Sequence, residues 1–175
     1  IDYGAFKNCY DLNSIEIPES VTHLGSSVFA FSKLESVNIP SAITSISDSL
    51  FIGCNLSNFR IPSSITSIGK YAFAYNKASF TSIEIPSSVQ DIGEYAFKGT
   101  YYLKSVVLSS NITQIKEGVF YDCAITNITI PASVKSIGKN AFSLCPSLDS
   151  ITIPESVTRI GEDAFSTTKL YQRKS

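Results

Sequence analysis

The sequence predicts a β-rich, right-handed parallel solenoid of about seven short tandem units, and three observations predict it. Phe6, Phe29, Phe51, Phe73, Phe97, Phe120, Phe142 and Phe165 recur every 22 to 24 residues. Pro18, Pro40, Pro62, Pro86, Pro131 and Pro154 keep the same rhythm, with Ser109 in the one missing place. Gly25, Gly69, Gly93, Gly138 and Gly161 form a third column. One period held by three residue types is the signature of a repeat architecture, each unit a coil stacked on the next.

The units begin at Leu12, Leu34, Leu56, Phe80, Leu103, Ile125 and Leu148. Residues 1–11 match the end of an earlier unit, and Leu170 in the tail 170–175 stands where another would open. Residues 1–175 read as one solenoid domain. The chain starts at Ile1 and holds no Met, so it is expected to be a fragment of a longer array. Length differences fall just after the Phe, at residues 76–79 and at Tyr101 and Tyr102, so insertions sit in one loop of each coil.

The unit from Leu148 to Lys169 shows the elements in order. Leu148-x-x-Ile151-x-Ile153 ends in apolar–polar alternation, the pattern of a short strand. Pro154 stops it, because proline has no N–H to give a ladder. Val157-x-x-Ile160 predicts a second, shorter extended piece. Gly161 to Ser166 suits a single helical turn that drives Ala164 and Phe165 inward; a full helix does not fit in the remaining length. One unit has too few apolar side chains to offset its own chain entropy. Stacking solves this: rungs about 4.8 Å apart turn the Leu, Ile, Val and Phe positions into continuous columns.

Composition narrows the function. Fourteen Lys and Arg against fifteen Asp and Glu leave a formal net charge of −1, so no basic footprint for nucleic acid exists. No apolar run approaches the roughly 18 residues of a membrane span, and no signal peptide is visible. Four Cys are too few for a disulfide scaffold of this length.

The strand pattern Leu-x-x-Ile-x-Ile resembles the leucine-rich repeat signature. Its continuation is more specific: IPASVKSIGKNAFSLC, from Ile130 to Cys145, resembles the BspA-like leucine-rich repeat family, and the likeness runs through nearly the whole chain. The resemblance implies a bacterial or protozoan protein, at the cell surface or secreted, that adheres to host or microbial proteins. The Asn ladder of ordinary leucine-rich repeats is missing. Pro18 and its equivalents, with a second strand, stand in its place, which argues against the usual horseshoe with convex helices.

The open face of the first strand column is the candidate site. Two side chains per strand point outward. Ser14, Ser36, Asn58, Ser82, Ser105, Asn127 and Ser150 are small and uniform, as suits a ladder. Glu16, Asn38, Arg60, Glu84, Val107, Thr129 and Thr152 vary in charge and size. That variation fits a recognition surface, and equally an ordinary solvated face; Arg60 and Glu84 are placed to pair across rungs. The expected function is protein binding or adhesion through this face, with a structural spacer or a carbohydrate-binding module as alternatives. No aromatic stands in the outward columns to favour sugars.

The other chemistry is sparse. Cys9, Cys54, Cys123 and Cys145 each sit three residues after a repeat Phe, in a slot that suits a small buried residue. Cys123 and Cys145, on adjacent rungs, fall within disulfide reach, so free thiols and a bond both remain open. Spacing this wide, with no second ligand type, argues against a metal site. His23, the one histidine, occupies a variable outward slot. Glu16 and Glu84 lie three rungs apart, roughly 14 Å, beyond the roughly 5–9.5 Å of paired-carboxylate hydrolysis. Neither an enzyme activity nor a cofactor is expected. Tyr71, Tyr75, Tyr95, Tyr101, Tyr102 and Tyr121 cluster near the Phe turns, either as an interface or packed over the core edge. Asn55, Asn111 and Asn127 open glycosylation sequons, at a frequency chance alone explains. The unpaired ends at Phe6 and Leu170 predict self-association.

Overall fold

Each coil begins where an alternating segment turns its apolar side chains inward, and homologous segments of successive coils then pair in parallel. The structure, a computed structural model, describes residues 1–77 and 80–172. Residues 78–79 of the expected insertion and 173–175 of the tail lie outside the described residues. The first ladder comprises β1 (Ser14–Ile15), β2 (Ser36–Val37), β5 (Ser82–Glu84), β7 (Ser105–Val107), β9 (Asn127–Thr129) and β11 (Ser150–Thr152). The second comprises β3 (Ser45–Ile46), β4 (Ser67–Ile68), β6 (Asp91–Ile92), β8 (Gln114–Ile115), β10 (Ser136–Ile137) and β12 (Arg159–Ile160). Register joins like to like, as in Ser14 with Ser36 and Ile68 with Ile92, so the repeat alignment is the physical alignment. Where the next unit would open, the chain instead forms α1 (Lys169–Gln172). Among the described residues, no helix is long and apolar enough to cross a membrane.

Proline joins the ladders through a turn. The Pro18, Pro40, Pro62, Pro86, Pro131 and Pro154 carbonyls each accept the N–H three residues on, at 2.9–3.0 Å. Where Ser109 replaces Pro, its hydroxyl donates to the Val89 carbonyl of the preceding rung at 2.6 Å and accepts the Asn111 N–H at 3.1 Å.

The third side of each coil differs from the expected helical turn. It is a run of overlapping tight turns with positive φ at two fixed positions, two residues before and two after each repeat Phe. Ser27 and Phe31, Tyr71 and Tyr75, and Asn140 and Leu144 all have φ of 55–58°. The left-handed geometry turns alternate N–H groups along the stack. Tyr71, Phe73 and Tyr75 donate to the Glu94, Ala96 and Lys98 carbonyls of the next rung at 2.7–3.2 Å. Between these backbones the eight repeat Phe rings stack without a gap, with centroids 5.2–5.8 Å apart. The six inner rings are fully buried, whereas Phe6 and Phe165 are half-buried because each has a rung on one side only. A buried Phe contributes roughly 2–3 kcal/mol.

The glycine column serves close approach. These glycines do not have positive φ. A Cβ on Gly69, Gly93, Gly138 or Gly161 would stand 2.4–2.7 Å from a backbone nitrogen or carbonyl carbon of the preceding rung. Each of these glycines donates its N–H to an Ile carbonyl of that rung at 2.7–2.8 Å. At Gly69, Gly93, Gly138 and Gly161 the adjoining strands pair: β3 with β4, β4 with β6, β8 with β10, β10 with β12. Lys116 occupies the column opposite Gly93, and β6 and β8 are not paired. Ser47 occupies it opposite Gly25, and β3 has no strand partner on that side. A side chain where only hydrogen fits opens the ladder at that rung.

Candidate functional site

The first ladder breaks as well, between β7 and β9 and at residues 58–61, and the second of these breaks shapes the candidate face. In the third unit Phe59 stands where the others have Ile15, Val37, Ile83, Val106, Ile128 or Ile151. The larger ring packs against the stacked Phe51 and Phe73 rings from the side, with centroids at 5.3 and 5.6 Å and tilts of 57° and 52°. Asn58 beside it has φ 52°. Residues 58–61 consequently form no strand, and among the described residues no backbone hydrogen bond joins them to either neighbouring rung. The result is an open groove of about 390 Å³ lined by Asn58, Phe59, Arg60, Ile61, Ser82, Ile83, Glu84 and Pro86.

Glu16, Asn38, Arg60, Glu84, Val107, Thr129 and Thr152 lie along one side of the coil, and all seven are exposed. Pairing sets Glu84 directly beside Val107 and Thr129 beside Thr152. Val107 is 56 % exposed although apolar. Arg60 and Glu84 share the groove but make no ion pair among the described residues, contrary to the expected pairing. Asn38 has a different role. Its Oδ1 accepts the Ile17 N–H at 2.7 Å and its Nδ2 donates to the Ile17 carbonyl at 2.8 Å. The amide thus mimics a strand neighbour and closes the end of the β1–β2 pair, so Asn38 belongs to the scaffold.

A second groove, about 540 Å³, lies along the second ladder and includes Asp48, Lys70, Asp91, Glu94 and Lys116. Sequence reasoning missed it, although the charged residues following the glycine column were its signal. Four of its charges are committed to one another, and Asp48 accepts the Lys70 backbone N–H at 2.7 Å. Lys70 Nζ lies 2.6 Å from Glu94, and Lys116 Nζ lies 2.7 Å from Asp91 across the opened β6–β8 seam. The Glu94 hydrogen bond holds the Lys70 ammonium above its usual range. Further along, the Lys139 ammonium is raised and the Glu162 carboxyl lowered by their mutual hydrogen bond. A groove whose charges are already paired has less to offer a ligand than the Arg60–Glu84 groove.

The cysteines are free thiols. Their slot serves the Phe turn: Cys54, Cys123 and Cys145 Sγ point at the Phe29, Phe97 and Phe120 carbonyls of the preceding rung, each at 3.1 Å. Asn76 does the same with Nδ2 to Phe51 at 2.8 Å, and Thr100 and Thr168 bond their own rung's Phe carbonyl. Burial pushes the Cys54 thiol up to about 11 and Cys145 to about 12, and raises Cys123 as well. These are inert structural groups. Among the described residues, no group of three or more His, Cys, Asp or Glu is placed to hold a metal ion. His23 is exposed, as its variable slot predicts, and its carbonyl accepts the N-terminal ammonium at 2.9 Å.

The tyrosines divide. Tyr71 and Tyr95 stack at 5.3 Å, and the Tyr95 hydroxyl donates to Glu117, a bond that raises the phenol's pKa. Lys98 Nζ sits 5.2–6.0 Å from the Tyr75, Tyr95 and Tyr121 ring centroids, an internal cation–π contact. Tyr75 and Tyr95 also cover Gly99 and Gly118 of the next rung, where a Cβ would meet the ring at 2.1–2.5 Å. These residues pack the turn edge, while Tyr101 and Tyr102 are exposed by 57 % and 49 %.

Comparison with known proteins agrees with this architecture. The pattern of the family described as BspA type leucine rich repeat region matches residues 1–79 and 74–174, in six copies. A solved leucine-rich repeat protein from Bacteroides ovatus is 32 % identical, with a TM-score of 0.89 over 96 % of this chain and 45 % of that one. One from Eubacterium ventriosum is 29 % identical, with a TM-score of 0.68 over 92 % of this chain and 46 % of its own. A leucine rich cell surface protein from Faecalibacterium prausnitzii is 27 % identical, with a TM-score of 0.62 over 96 % of this chain and 60 % of its own. The present chain therefore spans between 45 % and 60 % of these three relatives. A search of curated proteins gives no match.

Proposed function

This chain belongs to the BspA-type leucine-rich repeat family, and we propose that it is a protein-binding, adhesive module that meets its partner with the open face of the first ladder. The observation that carries this reading is the interruption at residues 58–61. It places Arg60 and Glu84 in one groove, leaves neither bonded to the other, and sets exposed Val107 on the next strand. A cation and an anion not paired with each other, beside an exposed apolar side chain in one concave strip, supply the mixed contacts a protein partner uses. The cell-surface description of the Faecalibacterium prausnitzii relative supports a location where such a partner is met.

The test is capture of surface and matrix proteins from a defined panel by the immobilised chain. Arg60→Ser with Glu84→Ser should abolish capture of at least one panel member. Lys139→Ser, in the turn after β10, should leave that capture intact, and far-ultraviolet dichroism of both variants should match the native chain. Equal capture by all three chains would support a spacer that holds a neighbouring domain. Capture of none of the panel by the native chain would remove the basis for an adhesive reading.

A further inference from the structure

The outward strand columns carry no aromatic, but one column on the turn side does. Two residues after each repeat Phe, the middle rungs read Phe31, Gly53, Tyr75, Gly99, Asp122 and Leu144. Ring and glycine alternate over the first four. Each ring lies over the glycine of the next rung. A Cβ on Gly53 would stand 2.4 Å from Phe31 Cδ1, and one on Gly99 2.5 Å from Tyr75 Cδ1. Both glycines are buried, while Phe31 is 44 % and Tyr75 37 % exposed. One side of each ring rests on the chain, and the other meets solvent.

Backbone bonds hold this column in place. Phe31, Gly53 and Tyr75 donate their N–H groups to the Ile52, Ala74 and Lys98 carbonyls of the next rung at 2.7–2.8 Å. The two rings are therefore two rungs apart, roughly 10 Å, and Gly53 adds no side chain between them. Phe31 and Tyr75 both have φ 58°, a left-handed backbone that glycine takes freely and a bulky residue does not. The rings stand here against the local preference of the chain. Polar groups border them. The Tyr101 hydroxyl reaches the same Cβ position on Gly99 at 3.6 Å, beside the Tyr75 ring, and Tyr101 is itself 57 % exposed. Desolvation, with the Asp122 carboxylate and Tyr75 close by, holds its phenol above the usual range. Asp122 is the only charged residue in the column, and Lys98 beside it is already held among the Tyr75, Tyr95 and Tyr121 rings.

We propose that this turn-side strip, from Phe31 to Tyr101, binds a neutral polysaccharide in extended, β-linked form. The C–H face of a pyranose ring stacks on an aromatic ring, and a rigid ring presents that surface at little entropic cost. In an extended β-linked chain successive sugars turn over, so alternate units show the same face. Rings on every second rung match that two-sugar repeat. Sugar hydroxyls at the edge meet the Tyr101 hydroxyl and the Asp122 carboxylate, and an acidic polysaccharide would set its own carboxylates against Asp122. The strip lies on a different side of the coil from the Arg60–Glu84 groove and does not depend on the adhesive reading.

Affinity electrophoresis of the native chain tests this, in gels containing mixed-linkage β-glucan, xylan or galactomannan. At least one of the three should retard the chain. Phe31→Ala and Tyr75→Ala should each weaken that binding about tenfold, with dichroism checking that both stay folded. Tyr75→Phe keeps the ring and should bind as the native chain does. Tyr10→Ala removes an exposed ring outside the column and should change nothing. Arg60→Ser with Glu84→Ser should be retarded like the native chain, which separates this site from the strand face. Passage of the native chain through all three gels without retardation would overturn the proposal. So would retardation that survives loss of both rings, or that falls equally in Tyr10→Ala. Ring variants that lose capture of a panel protein, with no retardation of the native chain, would assign the strip to a protein partner instead.

Discussion

The turn side and the two strand sides of this solenoid are made of the same repeats, yet only the turn side is continuous. Eight Phe rings stack from Phe6 to Phe165 without interruption, and turn-side N–H groups cross every rung boundary. The first ladder is open at residues 58–61 and again between β7 and β9, and the second between β6 and β8. The difference lies in what each side requires of the sequence. The turn side needs one Phe and two left-handed residues per rung, and those two positions accept Ser27, Tyr71, Asn140 or Leu144 as well as glycine. The strand sides need an absent side chain at one position and an aliphatic one at another, so Lys116 or Phe59 alone suffices to separate neighbouring strands. The turn side is thus the spine, and the strand faces can be opened locally without loss of the fold.

Substitutions on either side sharpen this comparison, the largest effect first. Phe97→Ala removes a fully buried ring from the middle of the spine and should cost about 3–5 kcal/mol in urea unfolding. Because stability in such arrays is a sum of neighbour terms, the two flanking halves should then unfold at separable midpoints. Gly93→Ala drives a Cβ to 2.5 Å from Lys70 N and should cost about 1–3 kcal/mol. The converse change, Lys116→Gly, should let β6 and β8 pair, read as new protection of the residue 116 amide from hydrogen exchange. Asn38→Ala breaks both bonds to Ile17 and should cost about 1–2 kcal/mol. Its column mate Thr152→Ala should stay within about 0.5 kcal/mol of native. Leu144→Gly relieves a left-handed backbone at φ 57° and should stabilise by roughly 0.5–1 kcal/mol, seen as a raised Tm.

These comparisons also mark how far the sequence could be read. The Phe, Pro and strand columns were legible because each keeps one residue type or pattern for one invariant role. The glycine column was legible in position but not in purpose: without the neighbouring rung, a lone glycine reads as a turn. The segment from Gly161 to Ser166 has the length of a helical turn, and its real geometry was signalled elsewhere. Gly4 and Gly118 lie two residues before a Phe, and Gly53 and Gly99 two after. Those flanking columns, shared with Asn8, Asp122, Asn140 and Asp163, are the left-handed positions. On the candidate face, alternation foretold exposure, and it holds at all seven positions, Asn38 included. The commitment of Asn38 to Ile17 depends on a strand end one rung away, and the groove at Arg60 on the bulk of Phe59 among aliphatic column mates. Both are relations between rungs, visible only once the rungs are superposed.

Native-state hydrogen exchange, read amide by amide, tests the spine directly. The account predicts comparable, strong protection for the Phe29, Phe51, Phe73, Phe97, Phe120 and Phe142 amides, and fast exchange for residues 58–61. Protected amides at 58–61 together with rapidly exchanging Phe amides would contradict it.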